Sequence, residues 1–254
     1  MIGPEDTEFT VRLAQTDSEL RAAQRLRYDI FVRELGSGGD LVDHAQGLER
    51  DSFDPHFDHM ILMQKGNDAV IGVYRLLRSS GAQAAGGFYS ESEYDLTKLK
   101  TSGRRLLELG RSCLHRDFRG GMALHALWGG LAQYVAAHKI DILFGVASFY
   151  GTDMAKLAAP LSLLHHRHLA PEVLRVRAHD RTHQSMGLVP YDDLDRRAVM
   201  VAMPSLIKAY LRLGGGVGEG AFVDHTFNTT DVCLVMDTAR LSARHARIYG
   251  RGRS

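Results

Sequence analysis

Apolar residues recur at steps of three and four through TDSELRAAQRLRYDIFVRELG, at Leu20, Ala23, Leu26 and Ile30, and this period predicts a helix. Thr16 and Glu19 have capping-box spacing at its start, and Gly36 is its C-terminal stop. The helix carries Arg27, Tyr28 and Phe31 towards SGGDLVDHAQGLERDSFDPHFD, which is rich in Gly and Asp and has no sustained apolar period. That stretch reads as a long ordered loop or a segment covering a substrate. DHMILMQ and AVIGVYRLLR flank Lys65, Gly66, Asn67 and Asp68 and predict an antiparallel hairpin. After a glycine-rich, weakly patterned stretch from Gly81 to Ser102, RRLLELGRSCLH is almost continuously apolar and predicts a central strand.

From Ala123 the helical period returns through Leu124, Leu127, Trp128, Leu131 and Val135, ending near His138. DILFGVAS then predicts another buried strand, so the order is strand, turn, helix, strand. A further helix is expected from about Thr152 to Leu164, followed by a basic connector holding His165, His166, Arg167, His168, Arg175 and Arg177. PSLIKAYLRLGGG has Pro204 near a helix start and glycines at its end, and GEGAFVDHTFN with TTDVCLVMD predicts a terminal strand pair. The final RLSARHARIYGRGRS is basic and expected to fray.

Composition narrows the class. A chain of 254 residues, 44% hydrophobic and 24% charged, can bury one substantial core, which excludes a disordered or fibrous protein. One domain spanning 1–254 is expected, with its core at about 10–240 and a basic tail from about 241. No apolar run approaches the roughly 18 to 20 residues needed to cross a bilayer, and MIGPEDTEFTVRLAQ lacks a basic n-region and an apolar h-region. A soluble, cytoplasmic protein is therefore expected, with at most peripheral contact with the inner membrane. Cys113 and Cys233 lie in apolar, strand-like settings and read as buried free thiols. A formal charge of +1 and scattered basic residues give no basis for nucleic-acid binding. His165, His166 and His168 are close in sequence but lack convergent ligands, so no metal is expected.

Candidate chemistry concentrates in the strand, glycine turn and helix from Leu106 to Tyr134. Backbone N–H groups of such a turn and of a helix N-terminus form an anion site suited to a phosphate, here around Arg119, Gly120, Gly121 and Ala123. Glu108 stands in an apolar strand and must be paired or hydrogen-bonded to stay charged. Arg111, three residues on, points to the opposite face if pairing is regular, and a bulge would bring the two together. Glu49, Asp51 and Asp54 form a second acidic set, and Arg27, Arg75 and Arg111 supply the complementary cations.

RLRYDIFVRELG, DSFDPHFDHMI, VIGVYRLL, LELGRSCLHRDFRGG with HALWGGLAQY, LFGVASFYGTD and KAYLRLGGGVGEGAFVDHTFNTTDVCLVM resemble, in order, the ornithine N-acyltransferases, over roughly residues 20 to 240. LELGRSC, LFGVASF and the run from Phe227 to Cys233 carry the specificity of the likeness. It implies an α/β fold of the GNAT type, a twisted mixed β-sheet flanked by helices with a C-terminal extension, related to the acyl-homoserine lactone synthases. It also implies transfer of a 3-hydroxy fatty acyl group from an acyl carrier protein thioester to the α-amine of L-ornithine, giving lyso-ornithine lipid. The phosphopantetheine-linked donor is then a substrate, and no cofactor is expected. Glu108 and Arg111 match the paired Glu and Arg that shape the acceptor pocket of the lactone synthases, and Asp51 aligns best within the acidic loop.

Amide formation needs a carboxylate to help deprotonate the acceptor, for which Glu108, Asp51 and Glu49 stay open. Backbone N–H groups from Gly110 to Ser112 are the expected oxyanion donors. An acid such as Asp54 would face the δ-ammonium and Arg27, Arg75 or Arg111 the carboxylate, with Phe31 beside them. Ser148, just after a core strand, is placed to bond the pantetheine or its sulfur. The usual GNAT pyrophosphate signature wants Gln or Arg where Phe118 stands, although Gly121 and Ala123 fit, which favours a carrier protein over coenzyme A. The basic connector and the amphipathic PSLIKAYLRLGG would suit an acidic carrier protein or anionic headgroups. The alternatives are an acyl-homoserine lactone synthase, disfavoured by the Phe227–Cys233 run, a non-catalytic carrier-protein or membrane-binding relative, and acetyl transfer to a protein amine.

Overall fold

The computed structural model describes residues 8–38, 42–67, 69–119 and 121–240. In chain order the elements are β1 (Phe9–Leu13), α1 (Asp17–Arg27), β2 (Val42–Asp43), β3 (Leu48–Glu49), β4 (Asp58–Gln64), β5 (Val70–Arg78) and α2 (Ser79–Ala85). Next come β6 (Tyr94–Asp95), α3 (Thr97–Lys100), β7 (Leu106–Leu114), α4 (Gly121–Ala137), β8 (Ile142–Tyr150) and α5 (Met154–Arg167). The last are β9 (Arg177–Ala178), β10 (His183–Gln184), α6 (Arg196–Ala202), α7 (Ser205–Arg212), β11 (Gly216–Val217), β12 (Ala221–Asp224) and β13 (Thr229–Asp237). The described residues form two compact units, one of 8–85 with Leu109–Lys139 and one of Gly86–Glu108 with 140–240.

In the first unit the strands lie in the order β1, β4, β5 and the C-terminal part of β7. β1 and β4 are antiparallel, as are β4 and β5, with a bulge between Leu62 and Met63. Strand alternation sends Ile61, Met63 and Val73 to one face, where they meet Ala23, Leu26 and Ile30 of the first helical segment together with Cys113. Each fully buried aliphatic side chain in that layer contributes about 1.5 to 3 kcal/mol. Met60 turns the other way, under α4. A Cβ on Gly130 would lie 2.3 Å from Val11 Cγ1 and 3.3 Å from Met60 Sδ, so glycine lets α4 settle on β1 and β4. Helices thus cover both faces, as the pattern predicts for this α/β class. β1 escaped the sequence reading because only Phe9, Val11 and Leu13 mark its alternation.

The first helix starts as expected, with the Glu19 N–H donating to Thr16 Oγ1 at 3.3 Å. It does not stay α-helical to Gly36. From Tyr28 to Glu34 it widens to a π-helix, and the Leu35 N–H reaches back five residues to Ile30 O at 3.1 Å. Gly36, at φ 71°, then closes it: its own N–H bonds Val32 O at 3.0 Å and the Ser37 N–H bonds Phe31 O at 2.8 Å. The expected loop is ordered around the short β2–β3 hairpin and a 3-10 turn at Asp54–His56. The β4–β5 hairpin forms as predicted; of its four turn residues, Asp68 lies outside the described residues.

In the second unit the N-terminal part of β7 runs parallel to β8 at Leu106↔Ile142, Leu107↔Leu143 and Glu108↔Phe144. β8 pairs antiparallel with β13 over nine positions, and β12 and then β10 extend the sheet. The predicted terminal pair, β12 and β13, is joined by a turn in which Asp224 accepts from the Thr226 and Phe227 N–H groups. α5 starts behind an Asp153 cap and continues to Arg167, so His165, His166 and Arg167 occupy its last turn instead of a connector. Cations are stabilised there by the helix dipole. α6 was not anticipated. The basic C-terminal tail expected from about 241 lies outside the described residues.

Candidate active site

Three arginines and three carboxylates of the first unit meet in one hydrogen-bonded network. Arg27 ends α1 with its side chain fully buried, its Nε on Glu49 Oε2 and its Nη1 2.9 Å from Asp54 Oδ1. Arg75 of β5 sends Nη1 to Asp54 Oδ1 at 2.6 Å and to both oxygens of Asp51 at 2.7 and 2.8 Å. Arg111 of β7 reaches Glu49 Oε1 with Nε at 3.0 Å and Asp51 Oδ2 with Nη2 at 3.6 Å. The sequence reading named all six residues; it did not foresee that each arginine would be shared between two acids.

Electrostatics keeps Glu49 and Asp54 charged. Burial pushes Glu49 towards the neutral form, but Arg111 and Arg27 outweigh it and hold the carboxyl below its ordinary range. Burial opposes Asp54 in the same way, and Arg27 and Arg75 nevertheless bring it down to about 2. The least buried members are Arg111 and Asp51, whose side chains keep 20% and 13% of their exposure and so form the edge a small molecule can reach. Among the described residues Arg27 Nη2 is buried without a hydrogen-bond partner. Three supports were missed from sequence. Gln24 donates to Asp54 Oδ2 at 2.8 Å, His59 Nε2 lies 2.9 Å from Asp54 O, and the Phe57 ring lies 4.3 Å beneath the Arg75 guanidinium. Gln24 carried a signal: it lies one turn before Arg27 on the apolar face of the helix.

β7 is irregular where regularity was in question. Arg111 has φ 50°, the left-handed region that β-strand residues other than glycine rarely adopt. The side chain therefore leaves the alternation and is delivered to Glu49 and Asp51. Glu108 bonds a segment that the sequence alone did not point to. Its Oε2 accepts from the Tyr89 N–H at 2.8 Å, and its Oε1 accepts from the Ser90 N–H at 2.7 Å and from the Ser90 hydroxyl. A strand carboxylate thus anchors the 3-10 turn at Tyr89–Ser92, while Glu49 and Asp54 hold the N-terminal helix by ion pairs.

The remaining candidates divide. Phe31 is half-buried against the Ala23–Ile30 cluster. Gly110 and Ser112 flank Arg111 and are half-buried. Arg119 follows the 3-10 turn Arg116–Phe118, donates from Nε to Leu114 O at 3.2 Å and pairs with Glu34. Gly121, at φ 55°, begins α4, and Ala123 is buried within its first turn. Gly120 lies outside the described residues. Ser148 is exposed on β8 opposite Asp231 in the second unit. There, Arg167 is 2.7 Å from the Tyr191 hydroxyl, His166 Nε2 is 3.0 Å from Val189 O, and Arg177 is 3.0 Å from Asp180. Among the described residues no helix is long and apolar enough to cross a membrane.

Residues 26–129 match the family model described as an acetyltransferase (GNAT) domain. The solved structure of FeeM, an N-acyl amino acid synthase from uncultured soil microbes, superposes with a TM-score of 0.53 over 91% of each chain at 13% identity, a likeness of fold. An L-ornithine N(alpha)-acyltransferase of Brucella abortus is 38% identical over 94% of this chain and 88% of its own length. Its counterpart in Rhodobacter capsulatus is 59% identical over 96% of this chain and 95% of its own. With so much identity spread over nearly the full length of each partner, this chain is an acyltransferase and belongs to the L-ornithine N(alpha)-acyltransferase family.

Proposed function

We propose that the protein moves a 3-hydroxy fatty acyl group from an acyl carrier protein thioester to the α-amine of L-ornithine, releasing lyso-ornithine lipid. The observation that carries this reading is the network of Arg27, Arg75 and Arg111 with Glu49, Asp51 and Asp54, whose accessible edge offers a carboxylate beside a guanidinium. That edge suits an amino acid, which brings one ammonium and one carboxylate to within a few bonds of each other. Arg111, the most exposed of the three arginines, supports anchoring of the acceptor carboxylate at this edge.

The proton requirement is modest. The α-amine of a free amino acid, with a pKa near 9, is neutral in only about one molecule in a hundred at pH 7, a cost of about 2 to 3 kcal/mol, which a carboxylate passing the proton to water can meet. Glu49 and Asp54, kept anionic by their arginines, attract the ammonium but are weak bases. Glu108 has both oxygens committed to residues 89 and 90. Asp51 also bonds Arg75, but it is the most exposed of these acids and so the one that an amine and a water reach together; we assign it the transfer of the amine proton to water. The neutral nitrogen attacks the thioester carbonyl, the N–C bond forms, and the oxyanion is held by backbone N–H groups between Gly110 and Ser112. The C–S bond breaks, and the nitrogen, made cationic by the attack, gives up its second proton to the leaving thiolate, so that amide and thiol form and the first proton stays in solution.

The carrier-protein donor is supported by the turn before α4. Phe118 replaces the polar residue of the pyrophosphate signature and meets Phe9 edge-on at 6.2 Å, and Arg119 is engaged by Glu34. Purified protein with 3-hydroxyacyl carrier protein and ornithine is expected to release free thiol and yield acyl-ornithine by mass. Release with adenosyl-methionine instead of ornithine, or with neither, would sink the assignment.

A further inference from the structure

Arg111 combines two features that are each uncommon. It sits inside a strand at φ 50°, where a side chain with a Cβ is disfavoured, and its guanidinium is held by Glu49 at 3.0 Å and Asp51 at 3.6 Å. Glycine is the residue that adopts this conformation without steric cost, and the preceding residue, Gly110, has space around it: a Cβ there would come no closer than 3.9 Å to Arg75. The chain therefore places the strained conformation on the residue with the charged anchor and leaves the neighbouring glycine outside it. A left-handed residue in a strand acts as a bulge, turning the peptide planes on either side of it out of the regular ladder. Strain of this kind persists only where the surroundings over-determine it. Here the determinants are the two acids that also face the acceptor.

We propose that Arg111 is a positioning residue: its ion pairs to Glu49 and Asp51 hold the left-handed turn in β7, and that turn aims the backbone N–H groups of Gly110–Ser112 at the reacting carbonyl oxygen. The proposal rests on the N-acyl transfer reading above. It couples the two halves of the reaction, because an acceptor ammonium that engages Glu49 or Asp51 touches the same carboxylates that fix the strand. Acceptor affinity and oxyanion geometry are then linked through one side chain.

The test compares Arg111→Ala, Arg111→Gly and Arg111→Asn. All three lose the ion pairs, but glycine and asparagine tolerate the left-handed region and alanine does not. The Gly variant is expected to have a roughly five- to thirty-fold more favourable folding equilibrium than the Ala variant in urea titrations. KM for ornithine is expected to rise similarly in all three, whereas kcat of the Gly and Asn variants exceeds that of the Ala variant by roughly ten-fold or more, since loss of oxyanion donors acts on kcat. A purely structural ion pair would not divide the variants this way. An Ala variant as stable as the Gly variant would overturn the strain, and equal kcat values despite unequal stability would overturn the positioning role. A wild-type enzyme inert towards ornithine overturns the functional reading instead, and the urea comparison still decides the strain.

Discussion

Replacing Asp54 with Asn removes the central charge of the arginine network while preserving side-chain shape. Three donors converge on this carboxylate: Arg27 Nη1 at 2.9 Å, Arg75 Nη1 at 2.6 Å and Gln24 Nε2 at 2.8 Å. The amide can keep its oxygen on both arginines, which share Oδ1, and turn its NH2 group towards Gln24, but Arg27 and Arg75 lose the negative charge that compensates them while still buried. Breaking a buried pair on one side costs about 3 to 5 kcal/mol. An independent route gives a similar order. The carboxyl is lowered from 3.8 to about 2, which corresponds to about 2 to 3 kcal/mol of stability from its ionisation. Because the folded-state pKa is depressed, this contribution is complete above the unfolded pKa near 4 and disappears as pH falls through 2. The single tryptophan, Trp128, lies on α4 of the same unit, so its fluorescence during urea denaturation reports on the relevant residues. At pH 7 the Asn variant should be less stable by about 3 to 5 kcal/mol, and the difference from wild type should narrow between pH 4 and pH 2. A loss below about 1 kcal/mol at pH 7, or a gap that does not narrow in acid, would refute the claim that this network holds the first unit together.

Glu108→Gln should cost about 2 to 3 kcal/mol, since charged acceptors of two backbone N–H groups and a hydroxyl are lost, and Tm should fall by roughly 5 to 10 °C. Turnover per folded molecule should stay within about three-fold of wild type; a hundred-fold loss of kcat with an unchanged melting curve would return the base role to Glu108. Gly130→Ala should destabilise by about 1 to 3 kcal/mol, because its Cβ would lie 2.3 Å from Val11 Cγ1, and an unchanged urea midpoint would show that α4 has room to shift.

The parts of the fold with a strong period were legible in sequence: the start of the first helix, the β4–β5 hairpin, β7, α4, β8 and the β12–β13 pair. β1 and α6 were not, because five or seven residues give a period too little length to register against the background. Among site residues, the identities of Glu49, Asp51, Asp54, Arg27, Arg75 and Arg111 could be read, since charges amid apolar segments must be compensated. Their partnerships could not. That Arg111 reaches Glu49 and Asp51 depends on one backbone torsion, and arginine gives no advance sign of a left-handed conformation. Gln24 and His59 owe their burial to contacts with Asp54 that only the folded chain creates.

The change from α to π geometry at Tyr28 alters how this stretch can be aligned and edited. An α-helix advances about 100° per residue, and a helix closed by five-residue steps advances by less. Below Ile30 the wider turn places Leu35, which joins the apolar cluster, and leaves Glu34 outward to meet Arg119. In uninterrupted α phase, Glu34 would occupy the inward place. The segment therefore behaves as though one residue had been inserted into an ordinary helix and kept, and deleting one residue between Tyr28 and Glu34 would restore α phase with the leucine of position 35 still inward. The loss would fall on Glu34, which would be rotated away from its present place and from its tether to Arg119.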